Sequence, residues 1–286
     1  MRNLVFATLI VCLFVSACGG EANNSKQSKE ETVKRLVSLN GTITEVLFSL
    51  GVNSELVAID VTSTYPTDTK KITNLGHVRG VTAESILSKK PTHVLVFEDE
   101  LNPRLKQQLE KAKINVLVFK RDFSVESTKT VITQIGKWVN KETAAKTLIR
   151  QIDQDLKAVT QLTKSPRVLF VYARGAGTMM VAGDNTQMAR MIHLAGGQNA
   201  TTGFDDFKPL TAEAVVAANP AIILLFDSGK SSLNDAGGIL AIPGIKMTIA
   251  GKNKAIISMD GQLLSGFGPR VGSAIAQLNS EFNQLK

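Results

Sequence analysis

The sequence Val81-Thr-Ala-Glu84-Ser-Ile-Leu-Ser-Lys-Lys-Pro91-Thr-His-Val-Leu-Val-Phe97 recurs in the second half of the chain as Leu210-Thr-Ala-Glu213-Ala-Val-Val-Ala-Ala-Asn-Pro220-Ala-Ile-Ile-Leu-Leu-Phe226. Six of the 17 positions are identical, including the Thr-Ala-Glu triplet, the proline and the final phenylalanine. Each copy has a threonine cap followed by an acid, apolar residues at helical spacing, a proline that stops the helix, and a β-branched strand. One such unit would be ordinary scaffold, but its recurrence in each half of the chain indicates duplicated architecture. The sequence therefore predicts an α/β protein of two similar lobes with central sheets and a ligand cleft between them.

The rest of the chain can be divided around these two copies. Its 286 residues are enough for two domains of ordinary size. We predict an N-terminal lobe over 34–123, a connecting helix over 124–164 and a C-terminal lobe over 165–286. The connecting segment has apolar residues every three or four positions, with Trp138 as a core contact and an interruption at Asn140-Lys141. Its second half predicts one long backbone helix that joins the lobes and permits only limited rocking between them.

The segment before Lys34 has the composition of a targeting leader and a tether. A positive start at residues 1–3, an apolar run over 4–15 and small residues before Cys18 are typical of a signal peptide over 1–17. Residues 18–33 are polar and aperiodic, which predicts a flexible tether. The ending Val-Ser-Ala-Cys18 resembles the bacterial lipobox, which implies cleavage before Cys18, lipidation of its thiol, and anchoring to a membrane surface outside the cytoplasm. The alternative is an ordinary signal peptide whose cysteines, Cys12 and Cys18, are incidental.

Composition and motifs favour a binding protein over an enzyme. Hydrophobic residues make up 43% of the chain and charged residues 20%, as in a globular protein with real cores. The net charge of +8 is dispersed in mixed-sign stretches, which favours anionic ligands or only solubility and does not form a nucleic-acid stripe. Neither a nucleophile elbow nor H-E-x-x-H occurs, and Met180 stands where a dinucleotide fingerprint beginning at Gly175 would need its third glycine.

A tyrosine follows the second predicted strand of the first lobe, in Asp60-Val-Thr-Ser-Thr-Tyr65-Pro66. Ligands of open α/β sheets bind beyond the carboxyl ends of the strands, and a residue before proline adopts extended or turn geometry. The polar loop gives the phenol hydroxyl little reason to be buried, and Arg79, shortly before the repeated helix, would stabilise a phenolate. We therefore expect Tyr65 to be presented to a ligand; the alternative is that its ring packs under the loop.

These residues resemble the bacterial haem-binding lipoproteins and periplasmic proteins of ABC importers, the haem-uptake branch of the vitamin B12 and siderophore solute-binding family. The resemblance covers almost the whole mature chain. Its motifs are Gly41-Thr-Ile-Thr-Glu45, Thr62-Ser-Thr-Tyr65-Pro66, Arg79 ahead of Thr-Ala-Glu84, Asn219-Pro220 and Gly266-Phe-Gly268-Pro269-Arg270. It implies a monomeric extracytoplasmic protein that captures ferric haem and delivers it to an ABC permease with its ATPase subunits.

The resemblance also implies roles for individual residues. Tyr65 corresponds to the axial ligand of the haem iron, and Arg79 to an arginine near it. Glu84 and Glu213 correspond to the glutamates that dock onto arginines of the permease. A tyrosinate is a hard anionic donor, so it should hold ferric haem in preference to ferrous haem.

Several site residues have two interpretations. His77 is either a second axial or second-haem ligand or an exposed loop histidine. Met179 and Met180 either contact the porphyrin or fill gaps in the core, and Arg174 is a candidate for the haem propionates. Arg270 either pairs with a propionate or caps the sheet edge. His93 and His193 are interpreted as structural.

Two wider alternatives remain. Lys120-Arg121-Asp122 either faces the cleft or is surface charge, and we favour surface charge. The runner-up function is a ferric-siderophore or corrinoid receptor, although such clefts usually need several arginine and aromatic side chains, of which this chain offers few. A structural or adhesive lipoprotein would bind no coloured ligand.

Overall fold

Residues 34–285 are described by a computed structural model. The predicted signal peptide and tether, with Cys18, lie outside the described residues. Within 34–285 no helix is both long and apolar enough to cross a membrane.

The N-terminal lobe is built on a five-stranded parallel sheet in the order β3-β2-β1-β4-β5. Its strands are β1 (Leu36–Ser38), β2 (Leu56–Ile59), β3 (Thr73–Asn74), β4 (His93–Phe97) and β5 (Asn115–Phe119). Its helices are α1 (Gly41–Ser49), α2 (Ala83–Leu87) and α3 (Pro103–Lys111). Because helices cover the faces of a parallel sheet, its inner strands are apolar on both sides, and β1 is fully buried.

The connecting segment forms two helices, α4 (Val125–Trp138) and α5 (Glu142–Leu156). The predicted interruption at Asn140-Lys141 is present, with Asn140 in the left-handed region at φ 57°. The prediction of one long helix continuing to residue 163 is wrong, because α5 ends at Leu156. The buried Asn279 side chain accepts a hydrogen bond from Thr160 N at 3.0 Å and donates one to Thr160 O at 2.9 Å. The N–H and C=O of Thr160 are therefore not available for the backbone hydrogen bonds of a longer helix.

The C-terminal lobe has a mixed sheet in the order β11-β10-β6-β7-β9, with β8 also paired to β6. Its strands are β6 (Arg167–Ala173), β7 (Met179–Ala182), β8 (Gln198–Asn199), β9 (Phe207–Pro209), β10 (Ile222–Phe226) and β11 (Ile256–Met259). Its helices are α6 (Gln187–Leu194), α7 (Ala212–Ala218), α8 (Asp227–Ser232), α9 (Asp235–Leu240), α10 (Ile249–Asn253), α11 (Gly261–Ser265) and α12 (Val271–Gln284). The end of β6 and the following β7 form a hairpin, in which β7 runs antiparallel to β6.

The repeated unit has the same structure in both lobes. Thr82 caps α2 by accepting a hydrogen bond from Ser85 N, and Thr211 caps α7 by accepting one from Ala214 N, both at 3.2 Å. Each helix is followed by a strand, β4 or β10, in the interior of its sheet. The prediction of two similar α/β lobes is therefore confirmed.

One apolar cluster runs through both lobes and the connecting helices. It includes Leu95 of β4, Ile132 of α4, Ile152 of α5, Phe170 of β6 and Leu278 of α12. Trp138 is half-buried and packs against this cluster. The shared core joins the lobes, while the loops after their strands line a cleft.

Candidate functional site

A cleft of about 430 Å³ lies between the carboxyl ends of the two sheets. Its lining comes from loops after β1, β2, β4 and β5 on one side and from segments after β10 and β11 on the other. The residues that line it are Asn40, Gly41, Thr42, Thr62, Thr64, Glu100, Arg121, Phe123, Gln187, Phe226, Asp227, Ser228, Asp260, Gly261, Gln262, Ser265 and Gly266. The predicted interlobe cleft is thus present at the sheet edge where ligands of α/β proteins bind.

The Tyr65 loop is folded around a buried carboxylate. Asp60 Oδ2 accepts hydrogen bonds from Thr62 N at 3.1 Å and Thr62 Oγ1 at 2.7 Å, and its Oδ1 accepts one from Ser63 Oγ at 2.9 Å. Burial raises the pKa of Asp60, an effect that these hydrogen bonds oppose. The short polar residues of this loop therefore satisfy a carboxylate that would otherwise be costly to bury.

Gln262 holds the same loop from the other lobe. Its Oε1 accepts hydrogen bonds from Thr64 N at 2.8 Å and Tyr65 N at 2.9 Å. Its Nε2 donates to Gly41 O at 2.9 Å and to Glu45 Oε2 at 3.0 Å. One side chain of the C-terminal lobe thus fixes the backbone of Tyr65 relative to α1.

Arg270 lies against the Tyr65 ring. Its Cζ is 3.6 Å from the ring centroid, and Tyr65 is 43% exposed. Neither residue is part of the cleft lining, although Thr64 and Gln262 beside them are. Arg270 Nε donates to Glu45 Oε1 at 2.7 Å and its Nη2 donates to Glu45 Oε2 at 2.9 Å. The Glu45 side chain is only 4% exposed. Although burial alone would lower it, the pKa of Arg270 is raised, because Glu45 bonds and attracts its guanidinium.

These contacts show what surrounds the predicted ligand. The ring of Tyr65 does not pack under its loop, and a paired guanidinium covers one of its faces. The sequence offered Arg79 for that position, whereas the guanidinium that the structure places there belongs to Arg270. Arg79 is exposed in the turn Val78–Gly80, where its backbone N–H donates to His77 Nδ1 at 3.3 Å. Among residues 34–285, the Arg79 side chain has no hydrogen bond or ion pair with Tyr65.

The β6–β7 hairpin separates the two methionines. Met179 packs against the core of the C-terminal lobe, whereas Met180 pairs across the hairpin with Tyr172. Because neighbouring strand residues point to opposite faces, Met180 lies on the other face of the sheet. Tyr172 on that face contacts Phe226 of the cleft wall, with ring centroids 6.2 Å apart. Arg174 is exposed at the end of β6, with its Cζ 5.5 Å from the centroid of the Tyr172 ring.

The N-terminal wall contains a charged cluster around Arg121, which was the less favoured of the two sequence interpretations. Arg121 Nη2 lies 2.7 Å from Asp99 Oδ2 and 3.0 Å from Glu100 Oε1, and Asn40 Nδ2 donates to Glu100 Oε2 at 2.9 Å. The Arg121 side chain is 15% exposed, and its guanidinium lies 4.9 Å from the Phe123 ring centroid. Burial raises the pKa of Glu100, and Arg121 opposes that effect. The preference for Arg121 as surface charge is therefore wrong; its place after a predicted strand was the available signal.

The two candidate docking acids occupy equivalent places. Glu84 and Glu213 are exposed in the first turns of α2 and α7, directly after the capping threonines. An acid is favoured there by the helix dipole alone. The repeat thus gives each lobe one exposed carboxylate at the same structural position. Within 34–285, no cluster of three or more His, Cys, Asp or Glu residues could hold a metal ion.

Residues 36–263 match the family described as periplasmic binding protein, and the chain belongs to that family. The solved structure of the periplasmic heme-binding protein RhuT from Roseiflexus sp. RS-1 in apo form is similar, with a TM-score of 0.83 and 36% identity over 88% of this chain and 98% of that one. The periplasmic heme-binding protein BhuT in complex with two hemes gives a TM-score of 0.83 and 32% identity over the same shares. The ABC transporter substrate-binding lipoprotein YvrC of Bacillus subtilis is 26% identical over 265 residues, which cover 90% of this chain and 82% of that protein.

Proposed function

We propose that this protein is the substrate-binding component of an ABC importer, which captures ferric haem in the interlobe cleft and binds the iron through the Tyr65 phenolate. The observation that carries the proposal is the exposed Tyr65 ring, directly after the cleft-lining Thr64 and covered on one face by the Arg270 guanidinium at 3.6 Å. The sequence identities of 36% and 32% to two heme-binding proteins support haem as the ligand class.

The surroundings of Tyr65 suit an anionic ligand atom. The porphyrin supplies four ligands to iron, so one protein side chain is enough to complete an axial position. In the proposed haem complex the positive charge of Arg270 would lie beside the iron-bound phenolate, and Glu45 keeps that guanidinium in place. Gln262 fixes the Tyr65 backbone before haem arrives, which lowers the cost of ordering the loop on binding.

The opposite wall supplies apolar and cationic groups for the rest of the ligand. Phe226 and Met180 lie on the cleft-facing side of the C-terminal sheet and would contact the flat porphyrin. Arg174 is exposed at the end of β6, where a propionate could reach it. We keep Arg79 as a candidate propionate partner and His77 as a candidate second axial ligand, because both are exposed in one turn of the N-terminal lobe. Arg270 remains a candidate propionate contact only through the part of its guanidinium that Glu45 leaves free.

Delivery uses the two equivalent carboxylates and a membrane tether. Glu84 and Glu213 would pair with arginines of the permease, one on each lobe. Lipidation of Cys18 would keep the protein, as a monomer, on the outer surface of the membrane beside the permease and its ATPase subunits.

The visible spectrum of the purified protein mixed with ferric haem tests the site. We expect a tyrosinate-ligated spectrum that is lost in Tyr65→Phe, because only the phenolate oxygen is removed. Tyr172→Phe is the matched control, since Tyr172 is the only other tyrosine of the chain, and its spectrum should stay unchanged. A spectrum that survives Tyr65→Phe overturns the ligand assignment. Binding of cobalamin or a ferric siderophore in place of haem overturns the ligand class.

A further inference from the structure

The N-terminal lobe has a basic surface at the edge of its sheet that lies opposite the cleft. Cations stand just before three of its parallel strands, and two more flank Trp138 at the end of α4. We call this surface the basic pole; its members are Lys34, Arg35, Lys89, Lys90, Lys111, Lys113, Lys137 and Lys141. Three carboxylates, Glu55, Glu110 and Glu142, lie at the same edge, so eight cations face three anions. Among residues 34–285, none of these eight cations forms an ion pair.

Side-chain contacts join the basic pole into one surface. Arg35 donates hydrogen bonds to Lys89 O at 2.6 Å and Lys90 O at 2.8 Å. Lys34 Nζ lies 4.8 Å from the centroid of the Trp138 ring, and that ring lies 5.1 Å from the His93 ring at the start of β4. The only tryptophan of the chain is therefore half-buried and in contact with Lys34 of the basic pole.

Two lysines of the basic pole stand in a backbone conformation that lysine seldom adopts. Lys90 and Lys113 have φ angles of 49° and 61°, in the left-handed region that favours glycine or asparagine. Asn219 occupies the position equivalent to Lys90 in the repeated unit and is also left-handed, at φ 37°. Lysine thus occupies a left-handed position at which asparagine would cause less backbone strain.

We propose that the basic pole rests on anionic phospholipid headgroups of the membrane that carries this protein. Lys34, where the described chain begins, belongs to the pole, and only the short segment 19–33 separates it from Cys18. A chain of that length reaches at most about 50 Å, so a lipidated Cys18 holds this surface near the bilayer. Each basic residue close to an anionic surface strengthens attraction by about fivefold, and a tryptophan favours the headgroup region.

Contact of the basic pole with the membrane would give the protein a defined orientation. The cleft and Glu84 lie at the opposite edge of the same sheet, so resting on the basic pole turns them away from the lipid. Haem can then enter from the aqueous side, and the protein must leave the lipid surface before it docks onto the permease. The inference rests on the proposed lipid anchor and does not depend on which ligand the cleft binds.

Trp138 fluorescence provides the test, since Trp138 is the only tryptophan of the chain. The full lipidated protein is placed on vesicles of phosphatidylcholine alone or of phosphatidylcholine mixed with phosphatidylglycerol, and acrylamide quenching is measured. We expect Trp138 to be protected only on the anionic vesicles, and protection to disappear in high salt because salt screens the attraction. Lys89→Gln with Lys90→Gln and Lys113→Gln should weaken lipid docking by on the order of a hundredfold and abolish protection.

The matched control changes the same number of charges outside the N-terminal lobe: Lys164→Gln, Lys252→Gln and Lys254→Gln. Lys254 is also left-handed, at φ 52°, so the backbone context is comparable. Protection that survives in this control and is lost in the pole variant supports the proposal. Equal quenching on both vesicle types, or equal loss in both variants, overturns it. Flotation of the vesicles tests the lipid anchor by itself: a protein that does not float with phosphatidylcholine vesicles is not anchored. This measurement does not depend on haem binding.

Discussion

Replacing Arg270 by leucine removes the only ion-pair partner that Glu45 has within residues 34–285. The Glu45 carboxylate would keep one hydrogen bond, from Gln262 Nε2 at 3.0 Å, in a position that leaves its side chain 4% exposed. Removing one partner of a buried pair costs about 3–5 kcal/mol. Because the Arg270 side chain is 26% exposed, we expect the lower value, about 3 kcal/mol.

The double variant Glu45→Leu with Arg270→Leu distinguishes the charge coupling of these two residues from a simple loss of packing. With leucine at both Glu45 and Arg270, no charge is left uncompensated, and the free energy of unfolding should lie within about 1 kcal/mol of the wild-type value. The two substitutions are therefore expected to be non-additive, with a coupling energy of about 2–3 kcal/mol.

Thermal unfolding followed by circular dichroism measures these differences. The shared apolar cluster predicts one cooperative transition for the two lobes. Unfolding midpoints of units this large fall by about 2–4 °C per kcal/mol, so Arg270→Leu should lower the midpoint by about 6–12 °C. A double variant as unstable as the sum of the single variants would refute the assignment of Glu45 and Arg270 as a coupled buried pair.

Three further outcomes are expected. Gln262→Leu should weaken haem binding by about tenfold, or about 1.4 kcal/mol, in a haem titration, and should keep the tyrosinate spectrum, because it frees the Tyr65 loop without removing the ligand. Glu100→Gln should lose stability relative to wild type as the pH falls from neutrality towards the ordinary range of carboxyl groups, measured by urea unfolding. Because the pKa of Glu100 is raised in the folded protein, the folded wild type binds a proton at a higher pH than the unfolded chain does, and this uptake stabilises the folded state. Glutamine binds no proton and gains no such stabilisation. Glu84→Ala combined with Glu213→Ala should leave haem spectra unchanged and abolish haem uptake by cells, because only permease docking is lost.

Each of these outcomes has a control in the same chain. Gln151→Leu changes an exposed glutamine of α5 and should leave haem affinity unaltered. Asp122→Asn removes an exposed carboxylate beside the same wall and is the matched control for the loss of one negative charge. Glu126→Ala with Asp235→Ala removes two exposed carboxylates outside the repeated unit, and uptake should persist. Loss of uptake in this control as well would reject a specific role for the two glutamates.

Local sequence signals were sufficient to predict the two lobes and most of their strands. The capping threonines, the prolines after the repeated helices and the alternation of apolar segments located both copies of the unit and most strands, because each of these signals acts within a few residues. The hairpin formed by β7 was missed, since its partner β6 lies across a glycine-containing turn that resembles an ordinary loop. The end of α5 was missed because the side chain that ends it, Asn279, comes from a helix far along the chain.

The site was predicted in part for the same reason. Tyr65 was selected as the candidate ligand from its place after a strand and before Pro66, both of which are local features, and that role stays a prediction. Its observed cation, Arg270, lies near the other end of the chain and was assigned to a propionate or to the sheet edge. Arg121 was favoured as surface charge because its acidic partners follow a different strand. Pairings between strand ends depend on sheet order, which composition and spacing do not specify.

The geometry of the cleft depends on one short segment of the C-terminal lobe. Gln262 and Arg270 reach across to Gly41 and Glu45 of α1, and Thr42 Oγ1 also bonds to Gly266 O. A wide opening of the lobes would break these hydrogen bonds and expose the buried Glu45 carboxylate without its partner, at a cost of several kcal/mol. The same contacts hold the Tyr65 backbone and cover its ring. Moving the lobes far apart would therefore also displace Tyr65, the proposed iron ligand, so the proposed function favours capture of a flat ligand by a largely preformed cleft over closure of one lobe on the other.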